Sequence, residues 1–185
     1  MPIIGVIFYF SKSPRYIPEP IIKAKLFALV LLTIILPILL FVLLKLRQLV
    51  SSIHLPNVSE RIYPLILNTV ITVVIIQRIL PANELIEIHY FFVGILISTL
   101  SCLILTLFKY KASIHMIATG GVLMFAIAIS IHFNINTNLS LALFFILTGA
   151  VASSRLHMHA HNAAELIIGF FIGALPQLIL LNYWL

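Results

Sequence analysis

Charge is what this chain has least of. Asp, Glu, Lys and Arg together make up 9% of its 185 residues, against 62% hydrophobic residues and a mean hydropathy of +1.20. A water-soluble domain of this size needs a far more charged surface, so the composition excludes one and implies a multi-spanning membrane protein. Cysteine is nearly missing too. The lone Cys102 lies inside an apolar segment, which excludes a disulfide framework and says nothing of redox compartment. No basic run precedes the first apolar stretch, since Lys12 and Arg15 come after it; the N-terminus therefore does not read as a cleaved signal peptide. Internal repeats, low-complexity tracts and linkers are also absent, so a single compact domain is expected. The net charge is +6 and the isoelectric point near 9.7. These basic residues are scattered among short loops, which argues against nucleic acid as a partner and suits the anionic headgroups of a bilayer.

What the chain does have is long apolar runs. Six spans are predicted, at about 24–44, 63–80, 90–108, 113–132, 139–154 and 162–184, each long enough for a ~30 Å hydrocarbon core. The expected fold is all-α: an integral-membrane bundle of six transmembrane helices (24–185) preceded by a short N-terminal interfacial or re-entrant segment (1–23). Residues 3–10 are too few to cross alone. Pro37 predicts a kink in the first span, and Pro64 falls in the first turn of the second, where a missing N–H is harmless. Gly120-Gly121, Gly149-Ala150 and Gly169-x-x-x-Gly173 predict close helix approach. Tyr183 and Trp184 suit an interfacial belt.

With six spans, the loops after spans one, three and five share a membrane face. The first holds His54, Glu60 and Arg61, the second Lys109, Lys111, Ser113 and His115, and the third Ser154, Arg155, His157, His159, His161 and Glu165. The loop at 132–138 carries no formal charge. Rare polar groups of three distant segments therefore gather on one surface. Lys12, Arg15, Lys23, Lys25 and Arg78 sit on the other face, opposite Lys45, Arg47, Arg61, Lys109, Lys111 and Arg155. Discounting those of the second set that bind a ligand tips the balance toward an inward N-terminus and a site outside the cytoplasm.

Within this polar set, His161 and Glu165 are four residues apart, so on a helix they lie on one face. A carboxylate there holds one imidazole nitrogen and leaves the other free to attack, while Arg155 can grip a nearby anion.

At these residues the chain resembles the type 2 phosphatidic acid phosphatase superfamily of integral-membrane lipid phosphatases, and its segment Glu60-Arg61-x-x-Pro64-Leu65 is similar to divergent bacterial members. That family carries K-x6-R-P, then P-S-G-H, then S-R-x5-H-x3-D. Ser154, Arg155 and His161 match the third block at its spacing, with Glu165 in place of Asp. Ser113 and His115 match the second, whose Pro and Gly are replaced by Ala112 and Ile114. Arg61 stands for the Arg of the first, but Ile62 follows it and His54 occupies the Lys position. The resemblance implies a metal-independent, cofactor-free hydrolase of a lipid phosphomonoester or diphosphate, embedded in a bacterial inner membrane with its site on the periplasmic face. It implies His161 as a nucleophile forming phosphohistidine, Glu165 as its orienter and His115 as general acid. Arg155, Ser113, Ser154 and Arg61 would bind phosphate, with Lys109 or Lys111 replacing the lost cation.

Other readings stay open. Ser113 can be a plain helix cap, Glu60–Arg61 a surface pair, and His161–Glu165 an ion pair on a solvated helix end. His157, His161 and Glu165 recur every four residues, so a continuous helix would stack them like metal ligands. The eroded first block also fits a relative that keeps the fold without catalysis, as a structural or lipid-binding membrane protein.

Overall fold

The computed structural model describes residues 2–49 and 58–185, and the regular structure among them is entirely helical. His54 lies outside the described residues. Six helices are long and apolar enough to cross a membrane: α2 (Glu19–Leu46), α3 (Val58–Ile79), α4 (Ile86–Leu107), α5 (Ile114–His132), α6 (Asn138–His157) and α7 (Ala163–Tyr183). The chain is a multi-pass membrane protein. Each span falls where hydropathy places it, but α2 and α3 each begin five residues early and α4 four. Pro18 and Pro20 frame the start of α2, and a Glu19–Lys23 pair at 2.8 Å on consecutive turns keeps the charged end helical.

Ahead of the spans stands α1 (Pro2–Lys12), 11 residues or ~16 Å long, about half a bilayer core. It is no surface helix. Val6 and Tyr9 are fully buried in the main core beside Phe91, Phe125, Ile129 and Trp184. Its far end is fastened by a polar group at the membrane face opposite the candidate site. There Tyr9 donates to Glu87 Oε2 at 3.0 Å and Arg15 Nη2 lies 2.7 Å from Glu87 Oε1.

The tightest helix pair is α5 with α7. A Cβ on Gly120 would run into the carbonyl oxygen of Phe170, and one on Gly173 into that of Ile117. Hydrogen at these positions is what lets the backbones touch, as expected of small residues in membrane bundles. Gly149 has nothing near it, so a side chain added there would meet no neighbour. It lies on α6, whose most apolar stretch buries none of its residues; α6 is a rim helix, lipid-facing by composition.

Two prolines show how the bundle absorbs a missing N–H. Ahead of Pro37 the helix widens into a π turn over Leu31–Ile35, which relieves the ring's clash with the preceding turn. Pro176 leaves the carbonyl of Ile172 without its helical donor, and Ser98 of α4 supplies one at 2.9 Å. The expected aromatic belt is half present. Tyr183 is exposed and stacks on Tyr90, but Trp184 is buried against Phe125 and His132 because a final 3-10 turn folds the chain end back onto the core.

Candidate active site

The first turn of α7 builds the centre of the site. Asn162 caps it: Asn162 Oδ1 accepts from the Glu165 N–H at 2.9 Å, and the Asn162 N–H donates to Glu165 Oε2 at 3.4 Å. This reciprocal capping box fixes the carboxylate, which also favours a helix N-terminus electrostatically. The same Oε2 accepts from His161 Nδ1 at 2.7 Å, so Nε2 carries the ring's free lone pair. The two side chains are 6% and 16% exposed, which removes the reading of a solvated ion pair. Burial pulls the His161 pKa below its usual value, and it outweighs the opposing hydrogen bond from Glu165. The imidazole is therefore neutral near pH 7, the form a nucleophile requires.

Two tight reversals bring the other loops to this turn. α4 and α6 both end with a residue in left-handed backbone, Lys109 (φ 61°) and His159 (φ 50°). In each, the next two N–H groups fold back onto the last helical carbonyls: Lys109 to Thr106 and Tyr110 to Leu105, His159 to Leu156 and Ala160 to Arg155. Lys111 Nζ then donates to the Ala160 carbonyl at 3.0 Å, and the Ser113 N–H to that of Glu165 at 3.2 Å. Arg61, 6% exposed, donates from Nη1 to Ala112 O at 3.1 Å. Residues from the first turns of α3 and from the segments leading into α5 and α7 thus interlock at one end of the bundle.

His115, exposed in the first turn of α5, lies within electrostatic reach of Arg155, His161 and Arg61. Ser113 is fully buried at the N-cap position of α5, yet its hydroxyl makes no capping bond and no hydrogen bond to any described residue. The plain capping role is therefore not what holds it there. Arg155 Nε is likewise buried without a partner among the described residues. Ser154 is not drawn in: it is exposed, and its hydroxyl donates along α6 to Met158 Sδ at 3.8 Å. The metal-ligand stack is not formed either. The helix breaks after His157, and the described residues hold no group of three His, Cys, Asp or Glu able to share an ion.

Below Arg61 and His115 a cavity of about 420 Å³ reaches into the bundle. A larger groove of about 980 Å³ runs along the outside of 33–48, but a single helix and its C-terminal turn line it, and none of the site residues do. Comparison with protein-family models, with curated proteins and with solved structures finds no match to this chain.

The sequence reading passed over one cluster. Glu87, fully buried, receives Tyr9 and Arg15 and lies 3.6 Å from His132 Nε2 at the opposite end of the molecule. A signal for it exists: Glu87 is a lone carboxylate inside the apolar run Leu85-Ile86-Glu87-Ile88, a costly placement in a span without a partner.

Proposed function

We propose that the protein hydrolyses a phosphate ester or diphosphate of a membrane lipid through a phosphohistidine, as a divergent relative of the type 2 phosphatidic acid phosphatases. The observation that carries this reading is the buried His161–Glu165 pair at 2.7 Å, with His115 in electrostatic reach of His161, Arg61 and Arg155. In the first step His161 Nε2 attacks phosphorus in line with the bond to the leaving oxygen. The N–P bond forms as the P–O bond breaks, and His115, protonated once the anionic phosphate lies beside it, gives its proton to the departing oxygen. Water then attacks the phosphohistidine, His115 takes the proton, and inorganic phosphate leaves with His161 restored. Arg61 and Arg155 supply positive charge for the equatorial oxygens, where phosphoryl transfer gains most of its catalysis. The unpartnered Ser113 hydroxyl is a further donor suited to a phosphate oxygen. The membrane is the bacterial inner membrane, and the site faces the periplasm.

The test is phosphate release by purified protein in nanodiscs from phosphatidic acid, phosphatidylglycerol phosphate and polyprenyl diphosphate. Wild type should turn over at least one and be inhibited by vanadate, which mimics five-coordinate phosphorus. His161→Ala should lose roughly three orders of magnitude or more while inserting normally. A second reading is a non-catalytic relative, favoured by the outward-turned Ser154. Wild type inert toward every lipid phosphate would establish it over hydrolysis, whereas full activity in His161→Ala would overturn the phosphohistidine step.

A further inference from the structure

The cavity beneath the site has walls that a hydrocarbon would meet as apolar, although several of its residues are polar. Each wall amide and hydroxyl donates at least one hydrogen bond inside the protein. Ser98 donates to the carbonyls of Gly94 and Ile172, Thr99 to that of Ile95, Gln177 Nε2 to that of Phe91, and Asn68 Nδ2 to Thr99. Most of the remaining wall is carbon: Leu65, Ile95, Ile117, Ala118 and Val122 among others. From His115 to Val122 the cavity follows α5 for seven residues, ~10 Å at the helical rise. Its roof holds Arg61 and His115, and its wall also includes Phe91 and Pro2, the first residue of α1.

α1 is a firm floor. Gly5 presses on the Phe91 ring so closely that a Cβ would lie 2.6 Å from it, and Tyr9 and Arg15 hold the far end to buried Glu87. With Pro at the first helical position, one of the N–H groups that a helix start leaves unpaired is absent from the apolar space. The volume, about 420 Å³, falls within the ~300–1,000 Å³ of small-molecule sites. At ~30 Å³ per water-sized group it holds about a dozen of them. That is the room one medium chain needs.

We propose that this cavity receives the hydrocarbon tail of the substrate end-on, that α1 closes it from below, and that the preferred substrate is a single-chain alkyl or prenyl phosphate or diphosphate of about a dozen carbons. The substrate class rests on the hydrolytic reading above; the cavity as a chain-binding site does not. Ala118 sits on the wall one turn below His115 and makes none of the site's polar contacts, so Ala118→Phe narrows the cavity and leaves the chemistry in place.

Wild type and Ala118→Phe, full length in nanodiscs, are assayed with butyl, octyl, dodecyl and hexadecyl phosphate and with dipalmitoyl phosphatidic acid. Wild-type kcat/KM should peak near dodecyl and fall at hexadecyl and at the two-chain lipid. Ala118→Phe should lose about tenfold or more on dodecyl phosphate, the scale set by an extra group in a filled pocket, with butyl phosphate unchanged. In parallel, wild type is photolysed with a dodecyl phosphonate carrying a terminal diazirine, and the labelled peptides are mapped. Labels should fall on the start of α1 and on the 91–95 stretch of α4. Phosphate release with labels only on lipid-facing α6, or with no chain-length preference, overturns the cavity and leaves hydrolysis standing. Labels at the floor without phosphate release keep the chain site and overturn hydrolysis. Should Ala118→Phe fail to fold, the wild-type labelling decides alone.

Discussion

Glu165 is asked to do two jobs, and a pair of substitutions separates them. Its Oε2 closes the capping box with Asn162 and accepts from His161 Nδ1 at 2.7 Å. Glutamine serves at the third helical position of a capping box as glutamate does, so Glu165→Gln should keep α7 and the fold. It still offers an oxygen to Nδ1–H, but a neutral one. Charge-assisted hydrogen bonds contribute ~1.5–3 kcal/mol and neutral ones ~0.5–1.5, leaving a deficit of about 1–1.5 kcal/mol, or roughly tenfold in kcat. Glu165→Ala removes the bond altogether and should cost roughly 10–150-fold, with about 0.5–2 kcal/mol of stability lost from the cap. The pH profile adds an independent readout. The Glu165 hydrogen bond raises the His161 pKa against the larger lowering by burial, so its weakening in Glu165→Gln moves the acid limb of the kcat/KM profile to lower pH. Phosphate release in nanodiscs across pH, with thermal unfolding of the same samples, makes the comparison. Two outcomes refute the reasoning: both variants fully active but less stable, which leaves Glu165 a cap only, or Glu165→Gln as inert as His161→Ala.

Further expectations concern the fold that holds this site. Gly173→Ala places a methyl against the carbonyl of Ile117, a backbone atom that cannot move aside, so it should lower the thermal midpoint strongly and separate α5 from α7, while Gly149→Ala, with open space around it, should leave the midpoint unchanged. Tyr9→Phe strips one donor from fully buried Glu87 and should cost about 1–3 kcal/mol, read as a lower midpoint and as faster proteolysis of the α1 segment. His161 should make stability pH-dependent. Its folded pKa is below the unfolded value of 6.5, so as pH falls past 6.5 the unfolded chain takes up a proton the folded one resists. Wild type should lose stability below that pH more steeply than His161→Gln, with no difference above it.

Much of the architecture was legible because the bilayer permits few solutions. Runs of about 20 apolar residues separated by short loops can only be antiparallel spans, and counting them put Arg61, Lys111, Ser113 and His161 on one face. The hydrogen bonds Arg61–Ala112, Lys111–Ala160 and Ser113–Glu165 join those same loops. The His161–Glu165 pair followed from helical spacing, although His161 stands just outside the helix and the capping box brings the two together. Hydropathy could not tell whether α1 lies on the bundle or inside it, because Val6 and Tyr9 are apolar enough for lipid or core alike. Nor could it reveal the Glu87 cluster, since a contact between Tyr9, Arg15 and Glu87 spans more than 70 residues and depends on α1 entering the bundle. The direction of the Ser154 hydroxyl was beyond spacing as well. Neighbours at 154 and 155 leave a helix about 100° apart, so spacing alone does not say which of the two turns toward the site.

The two ends of the molecule also separate what the fold needs from what it does not. Glu87 with Tyr9 and Arg15 has a structural reason: it fastens α1, and α1 completes the core around Phe91 and Phe125. Asn162 and Glu165 have one too, since they begin α7. His161 has none of this kind. It caps no helix, its 6% exposed ring bonds among the described residues to a carboxylate already held by the backbone, and burial disfavours its charged form. A buried imidazole that the helix start does not require, held by one nitrogen with the other left free, is a costly arrangement for packing alone and the one that attack on phosphorus demands. Ser113 points the same way: a serine at a helix cap that makes no capping bond keeps its hydroxyl for something other than the helix.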